Sequence, residues 1–509
     1  MSPKAFKPSR SIEATLFSGR TSQGQSVSAG VISERAVFYS VVLGLLLAGS
    51  FGLGAAAIQA VGGAAPSPQW QAGAASTVIT PQAPLWMGGY GGKTTPSLGK
   101  IQDLHMKALA LRDPWGNQAV IVTVDLIGFS REFTEAVTEE TGRRFGLPRE
   151  SVLLNASHTH SGPETRLERD ADLGMPEEYK IKNSRYVEGL KGTCVETVGR
   201  ALKDLKPAAV TFSSVGMSAP FAVCRRVPTP KGIEYHSTPS SYSTAGPRDD
   251  TVPVLKATGT DGRLRAVLFG YACHPITLDM DRFCGDYPGF AQRYVEEAYP
   301  GAVAMFVQGC GAQLVPNARF QIEYAQGHGR SLAAAVKSAL DGPQTPVSGP
   351  IRCAYREPVL QFQPLPERHV LEEAAKSPGR IAAAPLLDPR KAAALLKRLD
   401  AGERIPMTVP CPIQAVSLGK GLLLIGLAGE PVVDYAVALK TAFQGRFVWA
   451  AGYCNSVFGY LPSWKILREG DYEGGRAFNY TLYPGPLAED VESRVLAAVS
   501  ELVKAVDAR

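Results

Sequence analysis

Ser151-Val-Leu-Leu154 runs directly into Asn155-Ala-Ser-His-Thr-His-Ser-Gly-Pro163, so an apolar run ends in titratable side chains at a turn. The apolar part reads as a short buried strand, which Ser161-Gly162-Pro163 terminates. On extended backbone, residues two apart face the same side, so His158 and His160 are expected to point together into one site. Such strand ends are where open α/β sheets keep their chemistry. The pair suits metal binding or acid–base work; the alternative is a hydrogen-bonded pair with a structural task only.

Outward from this stretch, the chain alternates strands and helices. Strands are expected at 106–111, 119–126, 208–213, 265–272, 302–307, 421–427 and 447–451. Helices are expected at 131–146, 176–205, 290–297 (after the turn 285–289) and 487–506, with a helical excursion suited to a lid at 370–402. The pattern predicts an α/β fold of mixed sheets with flanking helices. Four strands end in a polar residue at a Gly/Pro turn: His158/His160, His274, Gln308 and Glu430. Singly, His274 fits a core histidine and Glu430 fits a helix N-terminus. Together, two or three histidines and a carboxylate match a catalytic zinc set at strand C-terminal ends, with one position open for water. Met87-Gly-Gly-Tyr-Gly-Gly92 lacks the spacing of a phosphate loop and suits a close backbone turn beside a site.

The 509 residues are 45% hydrophobic and 20% charged, an ordinary globular composition with length for a full core. A net charge of +6, with no basic block and no basic patch among aromatics, argues against a nucleic-acid partner. Eight cysteines include no C-x-x-C pair, which excludes zinc-finger and thioredoxin-like signatures and leaves disulfides open. Residues 36–57 carry no charge, enough length to cross a bilayer, and follow a polar segment in which Lys4, Lys7, Arg10, Arg20 and Arg35 outweigh Glu13 and Glu34. That asymmetry puts the N-terminus in the cytoplasm and the remainder outside. Small residues after the run suit signal peptidase, so an export signal is preferred to a permanent anchor. Residues 60–75 read as a linker. The expected organisation is a leader over 1–70 and one catalytic domain over 71–509.

The histidine stretch resembles the corresponding motif of the neutral (alkaline, non-lysosomal) ceramidase family. Landmarks follow in family order: Ala272-Cys-His-Pro275, Gly285-Asp-Tyr-Pro-Gly289, Phe306-Val-Gln-Gly-Cys-Gly311, Gly426-Leu-Ala-Gly-Glu430, Gly459-Tyr-Leu-Pro462 and Asp471-Tyr-Glu-Gly474. The resemblance spans about residues 74–500. It implies a zinc-dependent amidohydrolase acting on an N-acyl, lipid-like substrate; the leader places that activity outside the cytoplasm, with membrane association through residues 36–57 if the run is retained. It implies His158, His274, Glu430 and Tyr460 as zinc ligands and His160 as an assisting residue. It implies Tyr472 beside the scissile amide and Arg225 on the amide oxygen, with Arg226 competing for that place. Two departures stand out. Gly309 occupies the position of a serine in well-known ceramidases, with Ala312-Gln313 where Gly-Asp is expected, so attack by zinc-bound water is retained and a serine step is not. The chain ends at Arg509, without the C-terminal β-sandwich of those enzymes. A different amide or ester substrate, or a non-catalytic binding domain, are the alternatives. Asp125 and Asp286 are read as caps or as hydrogen-bond partners of a zinc histidine; His105, His236, His328 and His369 are read as lying outside the site.

Overall fold

The computed structural model describes residues 69–90, 95–167, 175–236 and 246–508. The uncharged run 36–57 lies outside them. Among the described residues no helix is long and apolar enough to cross a membrane.

Eight strands form most of the main sheet: β1 (Gln71–Val78), β2 (His105–Arg112), β3 (Gln118–Val124), β4 (Val152–Ala156), β5 (Lys206–Gly216), β6 (Thr251–Gly259), β7 (Leu264–Tyr271) and β8 (Val303–Gln308). Their order is β8-β7-β6-β5-β1-β2-β3-β4, and Thr345–Pro346 adds a ninth short strand to β5. Only β3–β4 and β7–β8 pair in parallel; the sheet is mixed, as expected. A second sheet, β9 (Ile351–Arg356), β10 (Ile413–Leu418), β11 (Leu422–Leu427) and β12 (Phe447–Ala451), packs on its inner face. Leu109, Ile121, Leu153 and Leu268 meet Val416, Leu424 and Trp449 there. Alternate residues of the main sheet face outward onto helices. α1 (Arg131–Phe145) and α2 (Glu177–Lys203) cover one half; α3 (Asp286–Ala298) and α4 (Ile322–Asp341) cover the other. Buried on both faces, β2, β3, β4, β7 and β8 read as near-continuous apolar runs, whereas β5 alternates.

Three details differ from expectation. Gln71–Ala75, read as linker, is the first half of the central strand β1. Its small residues answer to packing: a Cβ on Gly73 would lie 2.2 Å from Ala201 O, at the end of α2. The turn 285–289 is already the first turn of α3. The excursion 370–402 is two helices, α5 (Arg368–Lys376) and α6 (Pro389–Asp400), with a small core of their own around Leu371, Leu387 and Leu395. Pro389 occupies the start of α6, where its missing N–H costs nothing.

The edge strands β4 and β8 approach each other at their C-terminal ends. Gln308 N donates to Asn155 Oδ1 at 2.9 Å, and Asn155 Nδ2 donates to Gly452 O at 2.7 Å. The buried Asn155 therefore joins both edges of the main sheet to the end of β12. This closure brings the loops after β4, β7 and β11 together.

Candidate metal centre

The chain leaves β4 through a kink. Ser157 N donates to Val124 O at 2.8 Å, and His158, at φ 66°, donates its N–H to Leu126 O at 2.9 Å. A left-handed histidine is uncommon and points to an over-determined local structure. His158 and His160 do meet, with Nε2 atoms 3.2 Å apart, but through this kink and not along extended backbone. Gly89, at φ 100°, makes the room: a Cβ there would lie 2.5 Å from the His160 ring.

His274 follows β7 and is held by its N–H to Leu314 O at 2.8 Å. Glu430 follows β11. Glu430–Pro431 pairs in parallel with Tyr460–Leu461, which sets the carboxylate and the phenol side by side. The three side chains converge: Glu430 Oε2 lies 3.2 Å from His158 Nε2 and 3.3 Å from His274 Nε2. Tyr460 Oη lies 3.4 Å from the same His274 nitrogen. Ligands about 2.0–2.2 Å from one tetrahedral zinc stand roughly 3.3–3.6 Å apart, so these separations fit the edges of such a site.

The donor chemistry fits a cation as well. His158 Nδ1 donates to Ile127 O at 2.6 Å and His274 Nδ1 to Gly311 O at 3.1 Å. Each bond fixes the tautomer that leaves Nε2 bare, the usual outer support of a metal-binding histidine. Glu430 Oε2 is buried and accepts no hydrogen bond. His158, His160 and His274 form a group that can hold a metal ion. His160 differs from the other two: its Nδ1 is buried without a hydrogen-bond partner. Burial, then His158 and His274, push the His160 pKa well below the usual range; burial takes His274 down to about 4.

Arg225, Tyr460 and Tyr472 line one cavity of about 720 Å³ with His158, His160 and Glu430. Arg225 reaches in: Nη2 donates to Tyr460 Oη and to Ala312 O, both at 2.8 Å. Tyr472 packs edge-on against Tyr460, with ring centroids 5.4 Å apart. Arg226 shares Glu473 with Arg225 but is turned onto Glu469 and does not line the cavity, which separates the two arginines. Gly309 packs against Ala272, its Cβ position 3.1 Å from that methyl. Gln308 supports the loop by donating to Cys273 O at 2.9 Å. Asp286 accepts from the backbone of Leu278 and Tyr287, and Asp125 from His105 N and Gln292; neither reaches a histidine of the cluster. All eight cysteines are free thiols. Sequence reasoning missed Glu473, which holds both arginines, and the buried Glu164–Arg166 pair in the cavity wall, joined at 3.0 Å. The second had a local signal, two opposite charges immediately after the histidine motif.

This combination of two packed sheets and a metal-capable strand-end cluster defines a neutral-ceramidase-like fold. The chain is similar in structure to neutral ceramidase from Pseudomonas aeruginosa, with TM-score 0.65, 20% sequence identity, and coverage of 86% of this chain and 75% of that one. It is equally similar to a ceramidase complexed with C2, with TM-score 0.65, 19% identity, and coverage of 87% and 76%. At these identities the likeness is one of fold. No protein-family model matches the sequence.

Proposed function

We propose that the protein is a zinc-dependent hydrolase of an amide bond in an N-acyl, ceramide-like substrate, a member of the neutral ceramidase family acting outside the cytoplasm. The observation that carries this is the convergence of His158, His274, Glu430 and Tyr460, with Glu430 Oε2 left without a donor. These four would hold the ion, which would polarise the amide carbonyl and lower the pKa of a water bound beside them to about 7.

The chain's own groups do the rest. His160, at the edge of the cluster and without an orienting bond on Nδ1, takes the proton of the attacking water as its oxygen bonds to the carbonyl carbon. Arg225 and Tyr472 donate to the developing oxyanion. As the C–N bond breaks, His160 returns the proton to the leaving amine. No serine is needed at Gly309. Residues 36–57 serve export or membrane association, and nucleic acid is no partner.

One feature favours a second reading, a non-ceramide amide or ester. Beyond the metal residues, the cavity wall carries Glu164, Arg166, Asp279, Arg319, Arg380 and Asp388, charges that two lipid tails do not need. Assays of the purified protein on N-acyl-sphingosines, simpler N-acyl amides and matched esters decide between the two. The proposal expects N-acyl-sphingosine turnover that a chelator abolishes. Turnover confined to the simpler amides or esters selects the second reading, and chelator-insensitive turnover contradicts both.

A further inference from the structure

Glu473 is a fully buried carboxylate on the short helix Asp471–Gly474, one residue after Tyr472. Both of its oxygens are committed. Oε1 accepts from Arg225 Nε at 2.7 Å, and Oε2 accepts from Arg226 Nη1 at 2.9 Å. Arg226 has further anchors in Glu469 Oε2 at 3.0 Å and Gly470 O at 3.2 Å. The other arginine turns its far nitrogen toward the site, onto Tyr460 Oη and Ala312 O. The rings of Tyr235 and Tyr472 lie 5.1 Å and 5.2 Å from its guanidinium carbon. A guanidinium is planar and rigid, so fixing Nε on one side and Nη2 on the other fixes the whole group.

A buried ion pair is by itself weak evidence of a stabilising role, since apolar replacements are often as stable. Arg226, the first residue of the strand Arg226–Thr229, is already tied to Gly470 and to Glu469 at the end of the preceding helix, Trp464–Glu469. The second oxygen of Glu473 is spent on the arginine that lines the cavity. We infer that Glu473 is a positioning residue for the proposed hydrolysis. It holds Arg225 against Tyr460, and it ties Tyr472, its neighbour in sequence, to the same frame. Two donors from distant parts of the chain thereby keep one spacing. The inference rests on the amide-hydrolase reading above.

The test compares Glu473→Gln, Glu473→Asp, Arg225→Lys and the double variant Glu473→Gln/Arg225→Lys in the full chain. Each is assayed on the best wild-type N-acyl amide, with zinc content and circular dichroism recorded. A misplacement of about 1 Å costs about 10²-fold, so Glu473→Gln is expected to lose about 10–100-fold in kcat. Its KM should change by less than about threefold, because ground-state binding does not depend on this donor. Glu473→Asp, which keeps the charge, should recover part of the loss. In the Arg225→Lys background the Gln change should cost less than about twofold, since the group it positions is gone. Normal kcat in folded, zinc-loaded Glu473→Gln overturns the inference, and so do effects that multiply in the double variant. If Glu473→Gln does not fold, normal kcat in Glu473→Asp overturns it. If wild type hydrolyses no N-acyl amide, the amide reading fails, and octanoate binding by calorimetry decides this one. Weaker octanoate binding in the Glu473 variants supports it, and unchanged binding overturns it.

Discussion

Nε2 of His158 and Oε2 of Glu430 face each other at 3.2 Å with no donor between them, because the ring proton of His158 is committed to Ile127 O. Both atoms are buried, and Glu430 Oε2 accepts no hydrogen bond, where an unpaired lone pair is costly. A shared cation removes that cost, and the same Glu430 oxygen lies 3.3 Å from His274.

His160 is expected to separate chemistry from metal binding. It lacks the carbonyl partner that orients His158 and His274. His160→Ala should keep most of its zinc, by elemental analysis, and lose about 10²–10⁴-fold in kcat, the usual range for a general acid–base group. Loss of zinc along with activity would make His160 a ligand instead.

Tyr472 is expected to act in the transition state. Tyr472→Phe keeps the ring against Tyr460 and removes only the hydroxyl. Loss of one oxyanion donor costs about 10²–10³-fold in kcat. Steady-state kinetics should show that loss with KM little changed; a rise in KM alone would place the hydroxyl in substrate binding.

Acid should weaken the fold partly through Glu473. Arg225 and Arg226 hold its carboxyl below the ordinary value of 4.5, against the burial that would raise it. The folded state therefore binds fewer protons here than the unfolded state. The stability gained is present above about pH 4.5 and is lost as pH falls through the lower folded value. Glu473→Gln should be less stable at pH 7 by about 3–5 kcal/mol, the range for breaking a buried pair. Its urea midpoint should fall less steeply than that of wild type below about pH 4.5. Parallel pH profiles for the two proteins would show that the carboxyl contributes no such dependence.

Truncation should locate where the fold begins. Trp70 packs against the inter-sheet core, and Gln71–Ala75 pairs with Ala108–Arg112 of β2. A chain starting at Gln69 is expected to be soluble with a cooperative thermal transition. A chain starting at Ser76 loses most of a central strand and should aggregate. Equal folding of both would return residues 70–75 to the linker.

The grouping of His158, His160, His274 and Glu430 was legible because each follows an apolar run at a Gly/Pro turn, a pattern that needs no knowledge of how the strands pair, whereas Arg225, Tyr460 and Tyr472 came only from the resemblance. The reason given for His158 and His160 meeting was wrong in kind, since a positive φ, which spacing cannot reveal, makes the contact. β1 was hidden because its first half, Gln71-Ala-Gly-Ala-Ala75, lacks the branched and aromatic residues by which strands are recognised. Glu473 stood inside the Asp471-Tyr-Glu-Gly474 landmark, but its role left no mark because its partners lie far away in sequence and a buried ion pair has no period. The closure of the main sheet by Asn155 was equally invisible, resting on one amide between strands that are not neighbours in the sheet.

The most direct test is zinc content and N-acyl amide turnover of one preparation, before and after dialysis against a chelator and again after zinc is returned. About one zinc per chain is expected at a single four-ligand site. Turnover should vanish with the metal and return with it, while Glu430→Gln, deprived of the shared carboxylate, should fail to regain either. Full turnover in the metal-free protein, or full zinc and full turnover in Glu430→Gln, would contradict the account.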